Sequence, residues 1–247
     1  MNRRYRTLSQ SIYARIAGIP PETNVLHFQH LVAKNLKNFV MNNLSNIPKA
    51  KINKLLDVGC GGKPYKKYIG SKCSWIGLDL EENEVADIKV QRNDQKWPLD
   101  SSQFDYVLCT EVLEHCLFPE EVINEITRVL KPSGRLFLTT PFMYPVHGAP
   151  SDYRRFTPHY FQELLKGMQI DEIRFLGGAG TVFATSFLNW IEYQCQIVPN
   201  YAKVRVFLLP LWLALAAVLN FVALVLDRLD VTNAFGATVA IVATKKS

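Results

Sequence analysis

The residues of this chain best suited to chemistry are two aspartates around a glycine turn, and a histidine far downstream. Asp57-Val58-Gly59-Cys60-Gly61-Gly62 follows the apolar pair Leu55-Leu56, and Asp79 follows Trp75-Ile76-Gly77-Leu78. Glycine lets a backbone turn sharply and approach a ligand closely. Asp57, ending its strand, can accept a hydrogen bond from a ligand amine or from the loop's own N–H groups. Asp79 stands about 20 residues beyond the turn, the spacing at which a carboxylate at a neighbouring strand tip accepts from both hydroxyls of a ribose. A lone Gly-x-Gly fits an ordinary strand-to-helix turn equally well, so its context decides. His147 is the candidate base, because imidazole titrates near neutrality; a loop histidine bonded to backbone is the alternative.

These residues need strands and helices to position them. Strands are predicted at Leu55–Val58, Ser74–Leu80, Ile88–Gln91, Phe104–Cys109, Arg135–Thr140, Asp171–Leu176 and Phe235–Ala243. Between the fourth and fifth lies an amphipathic helix opened by Pro119, Glu120 and Glu121, with Val122, Ile123, Ile126, Val129 and Leu130 on one face; Lys131-Pro132-Ser133-Gly134 ends it. The alternation predicts a doubly wound α/β sheet with its site at the carboxyl ends of the strands. Residues 1–50 read as a basic helical segment, with a helix predicted after Ile19-Pro20-Pro21. A nicotinamide-binding fold shares this geometry, but its Gly-x-Gly-x-x-Gly fingerprint fails here, since Pro64 occupies the sixth place.

Asp57-Val58-Gly59-Cys60-Gly61, the acid of Gly77-Leu78-Asp79 and Phe104-Asp105 resemble class I S-adenosylmethionine-dependent methyltransferases. Glu111-Val112-Leu113-Glu114-His115 and Leu130-Lys131-Pro132-Ser133-Gly134 resemble the type 11 branch. The resemblance spans roughly Leu55 to Phe142 and implies a Rossmann-like seven-stranded sheet binding S-adenosyl-L-methionine. Asp57 and the Gly59-Cys60-Gly61 backbone would hold its methionine end. Asp79, with Leu80 beside it, would bind the ribose, Asp94 would lie near the adenine amino group, and Glu111 would line the floor. Lys63 stands where the family often has a third glycine, and Tyr65 is placed to close over the cofactor. No metal is expected.

The tract Pro141 to Thr157 leaves the fifth strand, is rich in aromatic and polar residues, and is too long for a simple connector. It is the expected acceptor side, with Tyr144, Asp152, Tyr153, Arg154 and Arg155 as substrate-binding candidates beside His115. For His115 the alternative is a structural histidine at a helix start; for the arginines it is ion pairs that staple the loop. Thr157 is expected to cap a helix starting at Pro158. The tract resembles type 11 methyltransferases of cell-surface polysaccharide and glycolipid synthesis, which implies hydroxyl methylation of a sugar, a lipid-linked glycan or another amphiphilic small molecule.

Val206 to Leu226 is an uncharged apolar run, just long enough at about 1.5 Å per residue to cross a bilayer. A single crossing would leave the last strand on the wrong side of the membrane, and Asn189, Glu192, Gln194 and Gln196 interrupt any span before it. The expectation is therefore an apolar helical hairpin that dips into one leaflet or lies on it. The alternatives are a true span, or a soluble lid or dimer interface. The expected organisation is an N-terminal helical cap (1–50), a cofactor-binding core (51–180), an apolar helical insertion (181–230) and a final core strand (231–247).

The chain has 247 residues, 48% hydrophobic and 20% charged, with net charge +6, which suits a globular protein with extra apolar surface. Five cysteines without a Cys-x-x-Cys pair argue against a zinc site or disulfide framework and fit a reducing compartment. The N-terminus has no apolar run of a secretory signal, so the expected place is the cytoplasm or the cytoplasmic side of a membrane. Nucleic-acid bases are marked down as acceptors: the place after the fourth strand reads Cys109-Thr110-Glu111-Val112, with no Pro-Pro-aromatic motif, and no basic-aromatic stripe is present. A non-catalytic cofactor-binding or assembly module remains the other class of function.

Overall fold

Short apolar runs separated by turn residues build the sheet that carries the glycine turn. The computed structural model describes residues 2–48, 52–69, 73–197 and 207–246. In chain order it starts with helix α1 (Asn2–Ala17), strands β1 (Gly18–Ile19) and β2 (Glu22–Thr23), and helix α2 (His30–Ser45). Strand β3 (Asn53–Val58), the short helix α3 (Lys66–Ile69), and strands β4 (Cys73–Leu80), β5 (Ile88–Val90) and β6 (Phe104–Thr110) follow. Then come α4 (Pro119–Val129), β7 (Leu130–Pro141), α5 (Pro158–Leu164), β8 (Met168–Leu176), α6 (Ala179–Ile197), α7 (Leu209–Leu229) and β9 (Thr238–Lys245).

Seven strands form one sheet in the order β5-β4-β3-β6-β7-β9-β8. Pairs from β5 through β7 are parallel, and β9 runs antiparallel to β7. The chain moves outward from β3 to β5, then returns to build β6 and β7 on the other side. Such a reversal opens a crevice at the carboxyl ends of the central strands. The strands' near-continuous burial, complete at Leu55, Leu56, Val58, Leu78, Val107 and Leu108, is the pattern of a sheet covered on both faces.

Three local readings change. Pro20-Pro21 does not start a helix: it forms the tip of the β1–β2 ribbon, where Gly18 pairs with Thr23 and Ile19 with Glu22, and α2 starts at His30. β7 begins at Leu130 rather than Arg135, because Leu130 already pairs with Phe104 ahead of an irregularity that restores register at Tyr106 and Arg135. The last strand starts at Thr238, not Phe235. The Thr157 cap is present: its hydroxyl accepts from Tyr160 N, with Pro158 as the first helical residue.

Contacts divide the chain into two units: Met1–Lys37, Met143–Pro145 and Phe175–Ala237 in one, and Asn38–Phe142, Val146–Arg174 and Thr238–Ser247 in the other. The first contains α6 and α7 as an antiparallel pair. A Cβ on Gly180 would lie 2.2 Å from Ala223 O, and Ala184 packs with Ala223, so small residues let the two backbones close up. Tyr13 and Ala17 of α1 pack with Leu188, Trp212 and Ala216. The helices of this unit bury polar residues beside that apolar core and expose large apolar ones. Thr181, Thr185, Asn189, Glu192 and Asn220 are buried, whereas Phe183, Trp190, Leu211, Val218, Phe221 and Leu229 are exposed. Asp227 accepts from Thr181 N and Oγ1, and Asn220 donates to the carbonyls of Val25 and His27. The interrupting polar residues Asn189 and Glu192 thus point inward. Lys203, Arg205 and the start of the apolar run at Val206 lie outside the described residues.

Candidate active site

The glycine turn sits where β3 ends, between the ends of β4 and β6. Gly59 N and Cys60 N both donate to Leu78 O, so the turn is hung from β4. Gly59 has φ 65°, and a Cβ there would meet Val112 Cγ2 at 2.4 Å. Gly61 and Gly62 face open space, with nothing within 4 Å of a Cβ among the described residues. Lys63, in place of a third glycine, keeps a glycine-like φ of 52°. Its ammonium donates to Asp87, which also accepts from Gly77 N. Gly77 makes room for this, since a Cβ there would meet Lys63 Cε at 2.5 Å.

The two aspartates differ in environment. Asp57 is almost fully buried, and its Oδ2 has no hydrogen-bond partner among the described residues. Burial pushes its pKa up to about 8, the Asp79 charge adds to the rise, and Trp75 and Lys63 oppose it. Asp79 accepts from Gly61 N, Leu80 N and Asn83 Nδ2, so its carboxylate organises the turn itself. Tyr65 is buried, and its hydroxyl is pushed up to about 12 by that burial and by the carboxyls of Glu111 and Asp57. Glu111, just past β6, has φ 55° and donates its N–H to Thr139 O. Burial and the neighbouring Glu114 carboxyl raise its pKa.

An uncompensated buried carboxyl makes stability depend on pH. Asp57 holds its proton more tightly folded than unfolded, so its contribution worsens as pH rises from about 4 to about 8. Asp57→Asn removes that dependence. The stability of the variant relative to the parent should grow by about 2–3 kcal/mol from pH 5 to pH 7. Denaturation at several pH values checks this, and a difference that does not vary with pH contradicts it.

A cavity of about 310 Å³ opens past the end of β4, lined among others by Leu80, Asp94, His115, Ser151 and Tyr153. Asp94 takes a bidentate contact from Arg92 and accepts from Phe118 N, and the Arg92 bonds hold its pKa below the usual range. The acceptor-side loop is stapled to itself. Asp152 accepts from both terminal nitrogens of Arg155 and from His147 N, which brings its pKa down to about 2, with Arg155 the main cause. Arg154 donates to Leu117 O. Arg155 is therefore tied to its own loop, and Arg154 to the segment after β6. His147 Nδ1 lies 3.4 Å from Asp152 Oδ2, and its Nε2 lies 3.8 Å from Glu114 Oε1. His115 bonds Ser151 O through Nδ1, and Gly148, at φ 64°, lets the loop pass over its ring.

The structure thus brings Asp57, Gly59, Cys60, Gly61, Tyr65, Asp79, Leu80, Asp94, Glu111, His115, His147, Asp152, Tyr153, Arg154 and Arg155 into one unit. Tyr144 belongs to the other, where its hydroxyl accepts from Gln29 Nε2. Sequence reasoning did not assign a role to Glu114, which is fully buried, or to Asn83 and Lys63, which fasten the turn. An acid within Val112-Leu113-Glu114, otherwise apolar, is the one signal that was available for Glu114.

Residues 56–138 match the family described as "Methyltransferase domain". Over 139 residues the chain is 29% identical to a ubiquinone biosynthesis O-methyltransferase of Xanthomonas oryzae pv. oryzae, covering 47% of this chain and 58% of that protein. The chain thus spans little more than half the length of this curated relative. Among solved structures, a candidate sarcosine dimethylglycine methyltransferase of Galdieria sulphuraria is similar at TM-score 0.58 and 15% identity, over 98% of each chain. The [4+2]-cyclase SpnF is similar at TM-score 0.55 and 18% identity, over 84% of this chain and 80% of that one. These structural likenesses establish the Rossmann-like methyltransferase fold; the reaction must be argued from the site.

Proposed function

We propose that this chain is an S-adenosyl-L-methionine-dependent methyltransferase that methylates a hydroxyl of an amphiphilic small molecule. The observation that carries this reading is the pair of acids at adjacent strand ends, with an open glycine turn between them. Asp57 presents a buried oxygen without a hydrogen-bond partner among the described residues, and Gly61 and Gly62 leave room for a ligand against the backbone. These features fit the cofactor. Asp57 and the Gly59–Gly61 backbone hold its methionine end, Asp79 and Leu80 its ribose, and Asp94 the adenine side. Glu111 and Tyr65 wall the floor. When bound, the cofactor supplies a methyl group already activated on a sulfonium.

The chain's remaining task is to place a nucleophile, exclude water and take up a proton. His147, beside Asp152, accepts the proton of the acceptor hydroxyl, while His115 and Tyr153 touch the acceptor. Hydroxyl chemistry is supported by the O-methyltransferase relative, whose acceptor belongs to ubiquinone biosynthesis. An amphiphilic acceptor is supported by the outward apolar faces of α6 and α7. We place that hairpin in one membrane leaflet on the cytoplasmic side, its buried polar residues kept from lipid. α7, at 21 residues, passes the length and composition test for a span, but a span would separate β8 from β9.

Asp79→Ala should weaken binding of S-adenosyl-L-methionine by about 1.5–3 kcal/mol, the worth of hydrogen bonds to a charged group. Calorimetry checks this, and unchanged affinity removes the ribose role. Because Asp79 also holds Gly61 and Asn83, a melting curve should accompany the measurement.

A further inference from the structure

We infer that Glu114, His115 and His147 form a binding site for a divalent transition-metal ion, beside the cavity that His115 helps to line. Glu114 is 0% exposed, and neither carboxylate oxygen has a hydrogen-bond partner among the described residues. A carboxyl buried in that state either keeps its proton or meets a positive charge. Arg155 contributes at a distance, but two imidazoles lie nearer. His115 Nε2 is 3.7 Å and His147 Nε2 3.8 Å from the same oxygen, Glu114 Oε1.

The far nitrogens fix the tautomers. His115 Nδ1 bonds the Ser151 carbonyl, which only accepts, so Nδ1 carries the proton. His147 Nδ1 faces the Asp152 carboxylate, which Arg155 grips through both oxygens, and this favours a proton on Nδ1 as well. In both neutral rings the lone pair is then on Nε2, aimed at a carboxylate oxygen. The three donor atoms, one from each residue, all lie within 4.8 Å of one another. Donors around one tetrahedral ion at about 2.0–2.2 Å stand roughly 3.3–3.6 Å apart, so an inward movement of the side chains completes the set. The outer partners, a carbonyl behind one histidine and a carboxylate behind the other, are those that orient metal-binding imidazoles. Two imidazoles with one carboxylate select zinc, iron(II) or cobalt(II) over magnesium or calcium, which prefer oxygen.

Binding of the ion does not depend on the reaction proposed above; its use does. An ion held here keeps coordination positions open toward an acceptor oxygen, and lowers the pKa of a hydroxyl bound to it. His147 would then act as a ligand, the ion taking over the task given above to the bare imidazole.

The test uses the full chain after chelator treatment. Titration with Co²⁺, read by visible absorption, and with Zn²⁺, read by calorimetry, should show one ion per chain, unaffected by millimolar Mg²⁺. Glu114→Gln, nearly isosteric, and His115→Ala should each weaken binding by about 100-fold or more, and Asp152→Asn by about 10–100-fold, as for an outer-shell partner. Binding of S-adenosyl-L-methionine to the same samples reports folding and the cofactor site separately. The inference is overturned if folded protein takes up no stoichiometric Co²⁺ or Zn²⁺. It is overturned too if Glu114→Gln binds as the parent does, or if thiolate-to-cobalt charge transfer shows cysteine ligands.

Discussion

Gly59→Ala should destabilise the chain by about 2–5 kcal/mol and remove measurable cofactor binding. Two costs combine. The left-handed backbone at φ 65° costs a side chain about 1–2 kcal/mol. The new Cβ would also sit 2.4 Å from Val112 Cγ2, a buried side chain with little room to retreat, and overpacking of that kind costs about 1–3 kcal/mol. Relief requires the turn to move, which breaks the bonds from Gly59 N and Cys60 N to Leu78 O. Gly62→Ala is the matched control. Its Cβ meets nothing within 4 Å among the described residues, and its φ is not in the left-handed region, so its stability should stay within about 0.5 kcal/mol of the parent. Denaturant melts with calorimetry read both variants. Equal stability for Gly59→Ala and Gly62→Ala would mean that the turn is not built as described.

His147→Ala should lower kcat by about 10²–10⁴-fold, the typical worth of a positioned general base, and leave cofactor affinity unchanged. The split follows from placement: His147 and its partners Asp152 and Glu114 belong to the acceptor-side loop and the segment after β6, not to the glycine turn. Partial rescue by added imidazole would support proton uptake at this position. Turnover at the parent rate would remove His147 from the chemistry. The same direction is expected if the residue holds an ion, but chelation then lowers the parent's rate as well.

Much of this architecture was legible because it is local. Each strand is an apolar run bounded by turn residues, and Thr157-Pro158 announces a helix start. Asp57 and Asp79 could be placed because parallel strands put their last residues at one edge. What was missed depends on partners distant in sequence. The Leu130–Phe104 pair, which extends β7 backward, leaves no mark in Lys131-Pro132-Ser133-Gly134. Pro20-Pro21 breaks regular structure equally well before a helix or inside a ribbon. Asn189 and Glu192 read as interruptions of an apolar helix, and only the packing shows them turned inward. Glu114 is the clearest case: the approach of His147 to one of its oxygens comes from a loop more than 30 residues away. The glycolipid-like tract is legible as a loop, but the Asp152 pair of Arg155 and the bond of Arg154 to Leu117 O engage the groups first expected to grip a substrate.

The central claim is methyl transfer, and methyl-labelled S-adenosyl-L-methionine tests it most directly. Incubated with the purified chain and an extract of the host's cells, split into membrane and soluble fractions, it should deliver label to a solvent-extractable membrane product, with S-adenosyl-L-homocysteine formed in equal amount. Transfer should be lost in His147→Ala. Cofactor binding without transfer to either fraction would contradict the account and leave a cofactor-binding module in its place.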